Sequence, residues 1–201
     1  MCGFFDLHVH TKRSLDSSIS PSAALIRARE LGLRGLALTD HNTLTMVSNP
    51  YEEVLLVPGA ELSTPWGDLL ALGIQELPPP GLSVPEIIDR VHAQGGAVVI
   101  PHPFSGALTS ICMNERVFDI IDRIDGLEVT SPKVSVDNAR ARRVAGMYKR
   151  AAVGGSDAHS LEGLGKGLTV CEAMDLDGLL KAIKEARTDG VVRTSGAITT
   201  R

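Results

Sequence analysis

Residues 4–11 read FFDLHVHT, a mostly apolar run that is typical of a β-strand and that carries two histidines and an aspartate. Successive side chains of a strand point to opposite faces, so His8 and His10 share one face, and Asp6 lies on that face one step earlier. Polar side chains on one face of an apolar strand need partners. Taken alone, the two histidines are consistent either with a polar sheet face or with a metal site.

Four other apolar runs also turn polar at or near their carboxyl ends. They read LALTDHNT (36–43), VLLVPGAE (54–61), VVIPHPF (98–104) and VGGSDAH (153–159). The polar residues at these ends are Asp40, His41, Glu61, His102, Asp157 and His159. Each could be a turn residue or an exposed side chain. However, active sites of barrel folds lie at the carboxyl edge of the strands, and five such ends indicate one polar site there.

Between these ends, short apolar runs alternate with segments of helical period, which favours an α/β fold of parallel strands joined by crossover helices. We predict strands at 4–10, 35–41, 54–62, 69–74, 97–102, 126–130, 151–156 and 168–173. We predict helices at 20–32, 83–94, 137–149 and 175–186, with Ser20 and Ser83 as N-caps. His92, midway along a helix, is predicted to be a structural or surface residue. At 201 residues and 43% hydrophobic content, the chain is expected to fold as one domain over residues 1–201.

Composition narrows the class of function. The net charge of −4 and the isoelectric point near 5.9 argue against extended nucleic-acid binding, which usually shows a basic stripe. No stretch reaches the roughly 18 apolar residues of a membrane span, and the start shows no signal-peptide pattern, so we expect a cytoplasmic protein. Three widely separated cysteines, Cys2, Cys112 and Cys171, indicate neither a disulfide framework nor a zinc ribbon.

Five motifs together resemble those of the polymerase and histidinol phosphatase (PHP) superfamily. They are DLHVHT (6–11), TDHNT (39–43), GAELS (59–63), PHP (101–103) and GSDAH (155–159), in the order and at the spacing of that family. The resemblance extends from about residue 4 to residue 174. It implies a distorted TIM-like (β/α)7 barrel, about one unit shorter than the common eightfold barrel. It also implies two or three divalent metal ions, for which imidazole and carboxylate ligands suit zinc, manganese or iron.

Carried over residue by residue, the resemblance assigns the first metal ion to His8, His10, Glu61 and Asp157. Glu61 is expected to bridge to a second ion, which His102 also binds. The third ion is expected between His41 and His159.

Two acidic residues complete this assignment. Asp16 is the expected remaining ligand of the third ion, although one extra residue intervenes relative to the commonest family spacing. The segment WGDLLALG (66–73) departs from the family pattern, because many members carry a histidine there as a ligand of the second ion and this chain offers only Asp68. Asp68 is expected either to replace that ligand or to be a turn residue after Gly67.

The resemblance implies hydrolysis of a phosphate ester by a metal-activated hydroxide, while the other ions stabilise the developing charge. The residues expected to act through the bound metals are His8, His10, Glu61, Asp157 and His159. Three divalent ions against four carboxylates would leave about two positive charges, which attract a phosphate. Asp6 and Asp40 are expected to accept hydrogen bonds from ligand N–H groups. We expect Lys12, Arg13 and Lys133 either to contact the substrate phosphate or, equally, to be solvated surface charges.

The expected substrate is a phosphorylated small molecule, a nucleotide or the end of an oligonucleotide, because no basic track is visible. One alternative is a metal-stabilised accessory or regulatory module without catalysis, since family relatives occur as domains attached to polymerases. A metal-dependent amidohydrolase on a similar barrel also begins with a His-x-His strand. The motifs around Glu61, His102 and Asp157 argue against it, although analogy of fold alone does not exclude it.

Overall fold

The computed structural model describes residues 2–104, 112–131 and 136–194, together with the backbone of 197–199. One expected phosphate contact, Lys133, lies outside the described residues. The strands are β1 (Gly3–Val9), β2 (Gly35–Leu38), β3 (Leu55–Thr64), β4 (Gly67–Leu72), β5 (Ala97–Ile100), β6 (Gly126–Glu128), β7 (Ala151–Val153), β8 (Gly167–Cys171), β9 (Asp189–Thr194) and β10 (Ala197–Thr199). The helices are α1 (Pro21–Glu30), α2 (Val84–Ala93), α3 (Asn138–Tyr148) and α4 (Leu176–Lys184), with a 3₁₀ helix at Asn114–Asp119.

The ten described strands form one sheet in the order β10-β9-β8-β1-β2-β3-β4-β5-β6-β7. Strands β1, β2 and β3 run parallel, and so do β5, β6 and β7. β4 is antiparallel to both of its neighbours, and β8 is antiparallel to β1 and β9. The sheet curves until β7 packs against β8 and β9, which leaves it nearly closed. The predicted distorted α/β barrel is therefore confirmed.

The expectation of parallel strands throughout is wrong for β4 and β8, and the chain length between β3 and β4 shows why. β3 ends at Thr64 and β4 begins at Gly67, so a two-residue turn connects them. A parallel pair needs a crossover of roughly a dozen residues or more, whereas two residues suffice for an antiparallel hairpin. The hairpin places the start of β4 at the same edge of the barrel as the end of β3.

The four helices lie within a few residues of their predicted positions, and the predicted N-caps of α1 and α2 are found. The side chain of Ser20 accepts a hydrogen bond from the N–H of Ala23 (3.1 Å) at the start of α1. Glu86 accepts one from the N–H of Ser83 (2.8 Å) at the start of α2, which is half of a capping box. The 3₁₀ helix, β9 and β10 are absent from the prediction. None of the described helices is long and apolar enough to cross a membrane.

One buried hydroxyl bridges the gap in the barrel between β7 and β8. Thr169 of β8 donates a hydrogen bond to the carbonyl of Gly154 (2.8 Å) and accepts one from the N–H of the same residue (2.9 Å). A side chain at Gly154 would collide with the backbone of Leu168. Glycine at this position therefore allows the two backbone segments to approach closely, and the hydroxyl of Thr169 satisfies the N–H and carbonyl of Gly154.

Replacing Thr169 with valine keeps the shape of the side chain but removes both hydrogen bonds, so the buried N–H and carbonyl of Gly154 lose this partner. We expect the free energy of unfolding to fall by about 1–3 kcal/mol, as for other buried polar groups left without a partner. Urea denaturation followed by circular dichroism measures the change. Thr169→Ser, which keeps the hydroxyl, is the control. Equal unfolding free energies for Thr169→Val and the wild type would contradict this account.

Candidate metal centre

The candidate ligands come from six strands and meet at one edge of the barrel. His8 lies in β1 and His10 directly after it, while His41 and His102 follow β2 and β5. Glu61 lies in β3 and is joined by a bridge to His41, whereas Asp157 and His159 follow β7. Asp68 reaches the same edge because the β3–β4 hairpin pairs it with Ser63. These positions agree with the predicted strand ends.

The four residues expected at the first ion converge on each other. Nε2 of His8 lies 3.0 Å from Nε2 of His10, so both imidazoles direct the same nitrogen to one point. Glu61 lies 3.4 Å from the first of these nitrogens and 3.2 Å from the second. Asp157 lies 3.7 Å and 3.4 Å from them through Oδ1. The rings and both carboxyl groups are buried.

Glu61 also takes part in the second expected group. Its Oε1 lies 3.1 Å from Nε2 of His102. Candidate ligand atoms of Glu61, Asp68 and His102 lie within 4.8 Å of one another. The structure therefore brings Asp68 to the position where a ligand of the second ion is expected.

The third expected group lies nearer to solvent. Oδ2 of Asp16 is 3.1 Å from Nε2 of His159 and 3.3 Å from Nε2 of His41. His41 reaches Glu61 through its other ring nitrogen, at 3.0 Å. The ring of His10 stacks on that of His159, with centroids 4.3 Å apart. Despite the extra residue before Asp16, the side chain of Asp16 lies close to both His41 and His159.

The donor atoms fit divalent cations. Four sets of three side chains bring one ligand atom each within 4.8 Å of the others. The sets are His8, His10 and Glu61; His8, His102 and Asp157; Glu61, Asp68 and His102; and His10, His41 and His159. Imidazole nitrogen and carboxylate oxygen are the donors that zinc, manganese and iron accept in proteins. Such a density of buried ionisable groups is costly unless charges of both signs are present.

The pKa values of the cluster follow from this crowding. Burial opposes ionisation of Glu61, but the charge of His8 and hydrogen bonds from neighbouring imidazoles hold its pKa well below the usual range. The hydrogen bond to Glu61 raises the pKa of His41 to about 8. Burial would lower the pKa of His102, but contacts with Cys112 and Glu61 outweigh it and raise the value to about 10. Burial and the charge of Glu61 raise the pKa of Asp68 to about 6.

Two of the candidate ligands have backbone conformations that are uncommon outside glycine. The φ angle is +32° at His102 and +49° at Asp157. Such conformations cost free energy and cluster at functional sites. For His102, the flanking prolines Pro101 and Pro103 restrict the neighbouring backbone.

Asp6 does not share a face with the histidines, which corrects the expectation from simple alternation. In the register of β1 and β2, Asp6 pairs with Leu36 and Val9 with Leu38, so three steps of β1 oppose two steps of β2. Val9, Leu36 and Leu38 belong to one apolar cluster on one face of the sheet. Because paired residues share a face, Asp6, the partner of Leu36, lies on the face of this cluster. His8, next to Val9, lies on the other. The bulge breaks the alternation of the strand.

The partners of Asp6 are backbone N–H groups and the side chain of Ser156, and not imidazole rings. Its carboxyl oxygens accept hydrogen bonds from the N–H groups of Ser156 (2.9 Å) and Gly165 (2.8 Å). The N–H of His8 that it contacts, at 3.4 Å, is also a backbone group. Burial raises the pKa of Asp6 to about 6, although these hydrogen bonds act in the opposite direction. Asp6 thus holds the backbone that precedes Asp157.

Asp40 supports a ligand through an intervening serine. Its carboxyl group accepts hydrogen bonds from the hydroxyls of Thr11, Ser14 and Thr45, at 2.6–2.8 Å. Oγ of Ser14 lies 3.3 Å from Nδ1 of His10. Asp40 was expected to contact a ligand ring directly. In the structure Asp40 instead contacts Ser14, and Ser14 contacts the ring of His10.

Sequence reasoning missed Glu128, the last residue of β6. Its carboxyl group is buried and lies 3.1 Å from Nδ1 of His8. The one signal in the sequence is a carboxylate inside the predicted strand 126–130, between the apolar residues Leu127 and Val129.

Three other expectations concern basic residues outside the cluster. Lys12 and Arg13 are exposed on the segment that also carries Asp16, and their contact with phosphate stays a prediction. His92 of α2 is a structural residue as predicted, because its Nε2 lies 2.8 Å from Oδ2 of Asp125.

Comparison with known proteins identifies the family. The sequence model described as PHP domain matches residues 6–121, which is more than half of the chain. The chain belongs to the PHP domain family. A second model, described as PHP-associated, matches residues 136–188 of this PHP protein. The resemblance that the five motifs indicate is thereby confirmed.

Two relatives and one structure show the extent of the similarity. An uncharacterized protein of Methanocaldococcus jannaschii is 36% identical over 141 residues, or 62% of this chain and 79% of that protein. The 5'-3' exoribonuclease Rnm of Escherichia coli is 39% identical over 69 residues, or 31% of this chain and 23% of the relative. A two-domain protein of Bacteroides vulgatus containing a predicted PHP-like metal-dependent phosphoesterase superposes with a TM-score of 0.77 at 17% identity. The match covers 94% of this PHP protein but 64% of the other chain, and it shows a shared fold.

The raised pKa values of His41 and His102 predict how metal affinity depends on pH. Below pH 8 both rings carry a proton in the metal-free protein, and a bound ion must displace it. We expect zinc affinity to rise by about tenfold or more per pH unit between pH 6 and pH 8, because at least one proton is released. Competition with a chromogenic chelator measures the affinity. His92→Gln should show the same slope, and an affinity independent of pH would contradict the prediction.

Proposed function

We propose that this PHP protein is a hydrolase that cleaves phosphate esters with two or three bound divalent ions. The observation that carries the proposal is the convergence of histidine and carboxyl side chains, from six strands, on one barrel edge. Members of the fold include a protein with a predicted PHP-like metal-dependent phosphoesterase. Nearly all ligand positions that the resemblance assigns carry the expected histidine or carboxylate; at one of them, where many members carry a histidine, this chain offers Asp68.

In this proposal His8, His10, Glu61 and Asp157 hold the first ion. The second ion is held by Glu61, Asp68 and His102. The third is held by Asp16, His41 and His159. Glu61 is able to serve more than one ion because its Oε1 faces His8 and His102 while its Oε2 faces His10 and His41. Zinc, manganese and iron suit these donors.

When bound, the ions supply a water molecule activated at neutral pH and positive charge that faces the phosphate oxygens. The role of the protein itself is to hold the metal-ligand side chains in place before the substrate binds. Asp40 and Ser14 orient His10, and the backbone conformation at Asp157 directs its carboxyl group towards His8 and His10. His41 and His159 are partly exposed, so the phosphate is expected to enter from their side. Lys12 and Arg13 lie on the exposed segment that also carries Asp16, and we propose that they contact the phosphate.

The proposed substrate is a phosphorylated small molecule, a nucleotide or the terminal nucleotide of an oligonucleotide. The net charge of −4 disfavours binding of an extended nucleic acid along the protein surface. Binding of a terminal phosphate needs only the local positive charge of the metal site. The similarity to an exoribonuclease over 69 residues supports including oligonucleotide ends. An extended nucleic-acid partner is not part of the proposal.

Hydrolysis of a panel of phosphate esters tests the proposal. The panel contains small monoesters, mononucleotides and short oligonucleotides with 5′ or 3′ phosphates, each incubated with protein loaded with manganese or zinc. We expect turnover in the wild type and none in His10→Ala or Asp157→Ala, because each variant removes a ligand that faces the first ion. The release of phosphate or of nucleotides is measured.

The control for this panel is His92→Ala, which removes a histidine outside the cluster and should keep wild-type turnover. Turnover that persists in His10→Ala and Asp157→Ala would show that the activity does not come from this site. Tight metal binding without cleavage of any ester would instead favour an accessory module.

Replacing Asp68 with alanine tests the second ion separately. Because Asp68 falls into a ligand set with Glu61 and His102 and into no other set among the described residues, we expect the protein to lose about one tightly bound ion and to keep the rest. Elemental analysis after gel filtration counts the ions per chain. An unchanged count in Asp68→Ala would show that Asp68 is a turn residue and not a ligand.

A further inference from the structure

Glu128 is a fully buried acid that belongs to none of the expected ligand groups. Its two oxygens face different parts of the metal centre. Oε1 lies 3.1 Å from Nδ1 of His8, and Oε2 accepts a hydrogen bond from the backbone N–H of His102 at 2.9 Å. One carboxyl group thus contacts a ligand of the first expected ion and a ligand of the second.

We infer that Glu128 is a positioning residue that orients His8 and His102 for metal binding, an inference that rests on the proposed function. The ring of His8 has two nitrogens with different neighbours. Nε2 faces His10 and Glu61, whereas Nδ1 faces Glu128. An acceptor at Nδ1 keeps a proton on that nitrogen and leaves the lone pair of Nε2 for the cation.

The contact with His102 acts on the backbone. The φ angle of +32° at this residue is uncommon for a side chain other than glycine, so the conformation needs support from its surroundings. The hydrogen bond from the N–H of His102 to Glu128 provides that support. In this conformation Nε2 of His102 lies 3.1 Å from Glu61.

Gly155 makes room for this arrangement. A Cβ atom there would lie 2.5 Å from Oε1 of Glu128 and would also collide with the side chain of His8. Glycine at the start of the GSDAH motif thus permits the contact between the acid and the imidazole.

The chain offers a matched control three residues before Glu128. Oδ2 of Asp125 lies 2.8 Å from Nε2 of His92 and accepts a hydrogen bond from the N–H of Val98 at 2.7 Å. Asp125 therefore makes the same two kinds of contact, to a histidine ring and to a backbone N–H, with none of the candidate ligands. Asp125→Asn reports the cost of losing such an acid outside the metal centre.

Glu128→Gln and Asp125→Asn are compared with the wild type by two measurements. Competition with a chromogenic chelator gives the zinc affinity. Proton NMR of the metal-free protein gives the Nδ1–H signal of His8, which is assigned by its loss in His8→Gln. We expect Glu128→Gln to bind zinc about 10–100-fold more weakly and to shift or lose this signal. Asp125→Asn should retain both properties.

Zinc affinity of Glu128→Gln close to that of the wild type, together with an unchanged His8 signal, would overturn the inference. If the wild type binds none of zinc, manganese and iron, the proposed function fails, and the His8 signal alone decides the role of Glu128. Thermal denaturation establishes that each variant is folded. Should Glu128→Gln not fold, Glu128→Asp replaces it, because the shorter acid is unable to contact His8 and His102 together and should weaken zinc binding in the same way.

Discussion

The carboxyl group of Glu61 makes the contacts on which the rest of the centre depends. Its oxygens lie 3.0–3.4 Å from nitrogens of His8, His10, His41 and His102, which come from three other strand ends. A buried carboxyl group is stable only where positive charge or hydrogen-bond donors surround it. The barrel meets this requirement by bringing the imidazoles to the end of β3, and the same crowding makes the cluster suited to cations.

The barrel achieves this convergence through departures from regular α/β geometry. The β3–β4 hairpin brings Asp68 to the edge where parallel strands end, and the bulge in β1 separates His8 from Asp6. The backbone conformations of His102 and Asp157 are uncommon, and at His102 a hydrogen bond from the backbone N–H to Glu128 supports the conformation. Such local costs are typical of sites whose geometry is set before a ligand binds.

Several parts of this architecture follow from local sequence rules. The strand ends around His41, Glu61 and His102 are apparent because apolar runs stop there, and the helix caps at Ser20 and Ser83 follow from short-range hydrogen bonding. Glu128 was missed even though it lies in a predicted strand, because its partners lie 120 and 26 residues away in sequence. Nothing in its immediate neighbourhood distinguishes a buried acid from a solvated one.

The sequence by itself determined the family, the α/β barrel and the set of donor side chains, because motifs, periodicity and caps are local properties of the chain. Tertiary structure decided which donors meet and which serve as their supports. Asp6 illustrates the difference, because strict alternation places it beside His8, whereas the register with β2 places it on the other face. Register and bulges depend on the neighbouring strand, so the partners of a buried polar group emerge only when the strands are assembled.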